Sequence, residues 1–273
     1  MHHFWNQIIL DLNLLIYIVA LLCLGSSLSS FTYRWHQRAE YEWKSEAHDF
    51  LELPFYAPKP LSFVRGRSCC PKCHHKLSAL DLIPLLSYVF SKGRCRYCTK
   101  EIPLRYPIIE LITVLFLVPL YFLPISSLEW FILSIIIMAL ICAMIIDAEH
   151  YWLPDECAFI VAGFATYYFY INDHQALLPN IAVAILSYLS IYCLRALFLR
   201  FRSIEAIGLG DAKLLAALTY WLGTASYSNI LLIASFAGLI WAILTRKTKG
   251  EKIPFGPFLI AGAVLYFYVE QFR

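Results

Sequence analysis

Charge is scarce in this chain of 273 residues. Asp, Glu, Lys and Arg together make up 15%, against roughly 25% in soluble domains. Hydrophobic residues reach 60% and aromatics 16%. A soluble core of this size cannot hide so much apolar surface, which excludes an ordinary globular domain and leaves a membrane protein. Two chemical signatures are also missing. There is no H-E-x-x-H for a zinc protease and no G-x-G-x-x-G for a dinucleotide fold. The opening MHHFWNQ lacks the Lys or Arg of a cleaved signal, and the run behind it is long, so the first segment is expected to be retained.

Apolar runs are what the chain has in abundance. Segments 8–28, 108–125, 128–146, 157–171, 178–199, 212–226, 228–245 and 254–269 are nearly free of charge. Most approach the roughly 17–25 residues that cross a bilayer. Lipid offers no partner for backbone N–H and C=O groups, so each run is expected to be a helix. The expected fold is an all-α polytopic membrane protein of about eight transmembrane helices. A small domain is expected to be inserted after the first: 1–33 a helix, 34–107 a polar cytoplasmic domain, 108–273 a seven-helix membrane domain.

The net charge of +3 says little, but its distribution orients the chain. With the amino terminus outside and each run crossing once, the inside receives loop 32–107, the 147–156 turn, the 195–213 region and loop 246–253. These hold 21 of the 22 Lys and Arg residues, all but Arg273. Positive loops stay in the cytoplasm, so Asp147, Asp155 and Asp211 are expected on the cytoplasmic side.

The polar stretch carries two C-x2-C knuckles, Cys70-Pro71-Lys72-Cys73 and Cys95-Arg96-Tyr97-Cys98. Their spacing is that of a four-cysteine zinc site, in which two thiolates from each knuckle complete a tetrahedron. Four filled positions make such a zinc structural rather than catalytic. A disulfide pair is the competing reading, and the cytosolic placement opposes it. Cys69 offers a shifted register in place of Cys70. His74 and His75 read as solvated loop residues, and Cys23, Cys142, Cys157 and Cys193 as small buried hydrophobes. The segment 41–53, YEWKSEAHDFLEL, has charges at helical spacing and a Trp, Phe and Leu stripe, the pattern expected of a short amphipathic helix lying on the membrane or on the zinc knuckle.

The carboxylates are the remaining puzzle. Asp155 follows a proline at a helix start, where capping explains it. Asp147 lies at the carboxy-terminal end of its run, where the helix dipole disfavours an anion. Glu149 and His150 read as a wet turn. Asp211 stands behind Gly208 and Gly210 in IGLGDAKLLAAL. Alone it reads as a helix cap, with Lys213 as a positive anchor. Paired with Asp147 at one membrane edge, it reads as half of a dyad. Two carboxylates close together in low dielectric share a proton and can act on water as base and acid. Glycines beside Asp211 would let a substrate backbone come close.

These residues resemble those of the prepilin peptidases, also called type 4 prepilin leader peptidases, which carry the GxGD motif of intramembrane aspartyl proteases. Gly208-Leu209-Gly210-Asp211-Ala212-Lys213-Leu214 is similar to the family's G-x-G-D-x-K-L, and Asp147 with Leu153-Pro154-Asp155 to its first aspartate and LPD. Leu85-Leu86-Ser87-Tyr88, Gly93-Arg94-Cys95, Arg105-Tyr106-Pro107 with Glu110, and Pro254-Phe255-Gly256-Pro257 match four further signatures, and Glu42-Trp43-Lys44 the zinc-containing branch. Ser27-Leu28-Ser29-Ser30 and Leu82-Ile83-Pro84 depart from the pattern near the first cytoplasmic loop.

The resemblance implies an enzyme of the bacterial inner membrane. It would cut basic leaders from type IV prepilins or type II secretion pseudopilins on the cytoplasmic side, with Asp147 and Asp211 catalytic. It also implies N-methylation of the new terminus with S-adenosylmethionine, Gly93 being a candidate for that site. Partners would then be prepilins, pseudopilins and membrane lipid, with no nucleic acid. Two alternatives remain open at this point: a peptidase alone, or a transporter or scaffold whose aspartate pair binds a cation.

Overall fold

The computed structural model describes residues 2–60, 68–70, 72–202, 207–246 and 252–273, with side chains from Leu12 onward. Arg65, Arg67, Lys247 and Lys249 of the basic loops, and Pro71 of the first knuckle, lie outside the described residues. Within them the chain is helical and has no strand: α1 His2–Phe50, α2 Leu86–Phe90, α3 Arg105–Leu117, α4 Ser127–His150, α5 Asp155–Asn172, α6 Leu177–Arg202, α7 Leu209–Leu222, α8 Ser226–Leu244 and α9 Gly256–Gln271. The eight longer helices overlap the eight apolar runs. Contacts divide the chain into two units, Met1–Val118 and Pro119–Arg273.

In the first unit α1 continues well past its apolar half. From Ser26 to Leu53 the sequence has neither Gly nor Pro to stop a helix. Its polar part is laced by i,i+4 pairs, Arg38 with Glu42 at 3.5 Å and Lys44 with Glu40 at 2.7 Å. The segment 41–50 is therefore the end of α1 rather than a separate short helix. Helix α3 packs on α1. Gly25 makes this possible, because a Cβ there would stand 2.8 Å from the Glu110 Cα. Polar contacts fix the register: Tyr17 donates to the Leu117 carbonyl at 2.9 Å, and Arg105 to the Ser29 carbonyl at 2.9 Å and the Thr32 hydroxyl at 3.2 Å.

In the second unit α4 is the buried axis. Its start is fixed by a capping box between Ser126 and Glu129. Ile136, Ile137, Leu140 and Ile141 are fully buried along it. Helices α5 and α9 pack on α4, α6 and α5 on α7, and α8 on α9. Helices α6 and α8 are inverted relative to a soluble protein. Along α6, Asn180 and Ser187 are buried while Leu178 and Leu186 are 79% and 65% exposed. Along α8, Ser226 and Ala234 are buried while Leu232, Phe236 and Leu244 stand outward. Polar and small residues inside with leucine outside is the pattern of helices packed in lipid.

Among the described residues, five segments are long and apolar enough to cross a membrane: Leu12–Phe50, Arg105–Phe122, Ser127–His150, His174–Arg202 and Ser226–Leu244. The expectation of about eight spans is therefore met for five. Helix α5 is diluted by Asp155, Glu156, Asn172 and several tyrosines. Helices α7 and α9 have 14 and 16 residues, about 21 and 24 Å, short of a hydrocarbon core of about 30 Å.

The α1–α3 contact makes a prediction. Gly25→Val should lower the melting temperature of the purified protein, at a cost of about 1–3 kcal/mol for overpacking against backbone. Gly163→Ala, at a position with open space within 4 Å, should leave it unchanged or higher. Equal melting curves for Gly25→Val and wild type would contradict the packing described.

Candidate active site and metal centre

Asp147 occupies the last turn of α4 and is 5% exposed. Two residues beyond Glu149, Tyr151 ends the helix in the left-handed conformation, φ 56°, with its N–H on the Asp147 carbonyl at 2.9 Å. The dipole of α4 alone is adverse to the Asp147 carboxylate. A second helix supplies what the first does not. Asp147 Oδ2 accepts the Gly256 N–H at 2.9 Å. Gly256 is the first residue of α9, so this N–H is one of the donors that a helix start leaves without an internal partner. The next residue, Pro257, has no N–H to satisfy. The positive end of α9 thus faces the anion.

Asp211 is the third residue of α7, behind the N-cap Gly208. A carboxylate at this position can reach back to the N-cap backbone, and Asp211 Oδ2 lies beside Gly208, 3.3 Å from where a Cβ on that glycine would stand. Both carboxylates therefore sit at helix amino termini. They are close enough for the charge of Asp147 to act on Asp211.

Leu153 fills the space between these elements. It is buried, and Cβ atoms placed on Gly210 and Gly256 would meet it at 3.1 and 2.9 Å. A Cβ on Gly256 would also stand 2.7 Å from Asp147 Oδ2, and one on Gly208 3.3 Å from Asp211 Oδ2. The glycine beside Asp211 at 210 is thus occupied by an internal leucine, while Gly208 borders the carboxylate itself.

Asp155 is the first residue of α5, and Pro154, not Asp155, holds the N-cap position. Its carboxylate pairs with the Lys213 ammonium instead. This ties α5 to α7 by an ion pair that is nearly half exposed on both sides, worth at most about 1 kcal/mol. Glu149 and His150 are exposed, as expected of a wet turn.

The cysteine knuckles lie in the first unit and are near copies of each other. Cys70 donates to the His75 carbonyl and Cys95 to the Lys100 carbonyl, at 3.0 and 2.9 Å. His74 and Thr99 each return their N–H to the first cysteine at 2.9 Å, with φ of 56° and 59°. The Sγ atoms of Cys70, Cys73, Cys95 and Cys98 all lie within 4.8 Å of one another, and Cys70 and Cys98 are 3.9 Å apart. A tetrahedron with bonds of about 2.3 Å has edges near 3.8 Å, so these four sulfurs can hold one metal ion.

Burial pushes the Cys70 thiol up, but the backbone N–H groups of Cys73 and Lys72 more than reverse this and leave it at about 7. Cys69 is outside the cluster, in a backbone bridge to Lys76. His75 stacks on Tyr97 at 3.6 Å rather than joining the sulfurs. Asp81 joins both halves through the Ser78 hydroxyl and N–H, the Tyr97 hydroxyl and Arg96. The Ser78 bonds, hydroxyl first, hold its carboxyl below the usual range. Gly93 precedes the second knuckle at φ 67°, and a Cβ there would meet the Tyr88 hydroxyl at 2.9 Å. All nine cysteines are free, with Cys142 and Cys157 buried and Cys23 and Cys193 exposed on helix faces.

Residues 19–123 match the model of the bacterial peptidase A24 N-terminal domain, and residues 134–243 that of the type IV leader peptidase family. The chain belongs to the type IV leader peptidase family. A type 4 prepilin-like proteins leader peptide-processing enzyme of Escherichia coli O78:H11 is 36% identical over 80% of this chain and 81% of its own length. Prepilin leader peptidase/N-methyltransferases of Dickeya chrysanthemi and Neisseria gonorrhoeae are 34% and 32% identical, covering 91% and 90% of this chain and 92% and 87% of their own. No solved structure matches.

Gly256 and Leu153 were present in sequence signatures, but their roles were not readable there. The signal was available for Gly256: a glycine ahead of a proline at a helix start offers a free, unobstructed N–H. The sulfur cluster makes a direct prediction. Metal analysis of the purified chain should find the bound ion retained in Cys69→Ser and lost in Cys70→Ser. The reverse result would place the ligand at Cys69.

Proposed function

We propose that the chain is a bacterial inner-membrane aspartyl leader peptidase. It removes the leader of type IV prepilins or type II secretion pseudopilins on the cytoplasmic side. Asp147 and Asp211 are the catalytic pair. The observation that carries this reading is the convergence of α4, α7 and α9 on two carboxylates, Asp147 held by the Gly256 N–H at the start of α9 and Asp211 set in the first turn of α7 beside Gly208. Family membership supports the substrate class, since the relatives are named for prepilin leaders.

The pair shares one proton. The ionised carboxylate takes a proton from water as the water attacks the scissile carbonyl. The protonated one donates its proton to that carbonyl oxygen; as the C–N bond breaks, the carboxyl that took the water proton gives it to the leaving amine, and the other regains a proton from the gem-diol hydroxyl. Gly256 and Gly208 orient the carboxylates without side chains that would fill the reaction space, and Gly210 admits Leu153 behind them. The Lys213–Asp155 pair holds α5 against α7. A transporter or scaffold has no comparable support: family membership favours the peptidase over a cation site.

The four thiolates hold a structural zinc, a closed donor set that leaves no position for substrate. The ion would clamp residues 68–101, which have little apolar core. The relatives' names support a second activity, N-methylation of the new terminus. S-adenosylmethionine supplies a methyl group on a sulfonium, which an uncharged amine accepts. Gly93 belongs to this part of the chain, with its glycine conformation set by φ and by Tyr88.

The test uses reconstituted membranes, a prepilin substrate and mass spectrometry of the pilin terminus. Asp147→Asn and Asp211→Asn should each reduce leader removal to about 1% of wild type or less, with insertion unchanged. Lys213→Ala should retain most activity. Cleavage at the wild-type rate in either Asn variant would refute the dyad.

A further inference from the structure

Between the two cysteine knuckles the chain turns its apolar side chains outward. In residues 80–90, Leu80, Leu82, Ile83, Leu86, Val89 and Phe90 are all exposed, Val89 at 67% and Phe90 at 81%. Helix α2 buries none of its residues. Single exposed apolar residues are ordinary, but a run of six marks a surface that something covers. A five-residue helix with no packed face also lacks the tertiary support that short helices need. The only charge in residues 79–91 is Asp81, and it is turned back to Ser78, Tyr97 and Arg96 of the knuckles.

The place of this segment says what covers it. Glu110 lies in the candidate span Arg105–Phe122, five residues or about 7.5 Å past its start. Its buried carboxylate accepts the Leu85 N–H at 2.8 Å. Leu85 stands at φ 55°, a region that few residues other than glycine enter. Beyond α2, the Ile102 N–H bonds the Gly93 carbonyl at 2.8 Å, three residues before α3 begins. The segment is thus tied on both sides to the membrane end of α3. The outer stripe of α3, with Leu104, Ile108, Leu111 and Leu115 exposed, continues the same apolar surface into the span.

Two further features fit a lipid surface. The N–H groups of Ser87, Val89 and Ser91 are bonded to the Ile83, Leu85 and Ser87 carbonyls at 2.9–3.0 Å. Backbone that enters lipid must be satisfied internally in this way. Lys92 and Arg94 follow directly and are exposed, as suits side chains that meet anionic headgroups while the apolar residues beside them go deeper.

We propose that residues 80–90 and Leu104 form a lipid contact, in which the apolar side chains enter an anionic bilayer surface beside α3 and Lys92 and Arg94 meet its headgroups. The segment between the knuckles is then seated on the membrane without crossing it. The inference rests on the membrane character of the chain and not on its catalytic activity.

The test places the photoreactive residue benzoylphenylalanine at Leu86, Phe90, Leu115 or Lys100, one position at a time, in the full chain. The host is a nanodisc of phosphatidylethanolamine and phosphatidylglycerol. Mass spectrometry reads lipid adducts after irradiation, and melting curves control for folding. Leu115 on the outer face of α3 is the lipid reference, and the exposed Lys100 the aqueous one. Adduct yields at 86 and 90 should come within about three-fold of that at 115 and exceed that at 100 by about ten-fold or more. Yields no higher than at 100 would overturn the lipid contact. Adducts to a second copy of the chain, or to added prepilin, in place of lipid would also overturn it, since the face would then dock protein. A second measurement needs no substitution. Phosphatidylglycerol with a diazirine in its acyl chain should label residues 77–92 of the wild-type chain as well as residues 106–122. Label confined to 106–122 would contradict the proposal.

Discussion

A carboxylate at the carboxy-terminal end of an apolar helix faces an adverse dipole, and the hydrogen bond from Gly256 to Asp147 answers it. Helix α9 must begin at that point so that its first N–H is unspent. The residue there must lack a side chain, because a Cβ would meet Asp147 Oδ2 at 2.7 Å and Leu153 Cδ2 at 2.9 Å. Leu153 must reach the gap, which requires α4 to stop shortly after Asp147. It stops through Tyr151 in the left-handed region, a conformation costing a non-glycine residue about 1 kcal/mol. Asp211 meets the same demand within its own helix, from the third position of α7. One rule therefore places both acids: an anion in apolar surroundings is held by the unpaired N–H groups of a helix start.

The first unit solves a different problem. Its segment between α1 and α3 is too polar to build a core, and it is organised by sulfur. Two knuckles of the same backbone design bring four thiols together. Thiolates at that spacing repel until a cation joins them. Ser78, Asp81, Arg96, Tyr97 and His75 brace the knuckles by hydrogen bonds and ring stacking rather than by apolar packing. The long α1 supplies a rigid base, and its polar half stays helical through charge pairs.

Much of this was legible in the sequence. The eight apolar runs lie where the eight long helices are, since lipid solvation demands helices. The C-x2-C spacing announced the sulfur cluster, because knuckle geometry is local. What was hidden depended on distance in the chain. No spacing rule joins Asp147 to Gly256 or Lys213 to Asp155. Cys69 and Cys70 are equivalent as letters, and only the turn to His75 separates them. Asp155 has the residue type and setting of a cap, yet Pro154 takes that position and Lys213 takes the carboxylate. The number of crossings is blurred for a physical reason: α5, α7 and α9 are short or diluted by polar residues. The continuation of α1 to Phe50 was readable from the missing Gly and Pro, but the charge density there reads equally as a loop.

The account stands most directly on the Gly256 contact. The decisive measurement is the initial rate of leader removal by Gly256→Ala in reconstituted membranes, alongside its melting curve. A methyl group there must displace the Asp147 carboxylate, so the account predicts a loss approaching that of removing the acid, from a protein that is still inserted and folded. Wild-type rates from Gly256→Ala would contradict it, because Asp147 would then not depend on the α9 amino terminus for its place.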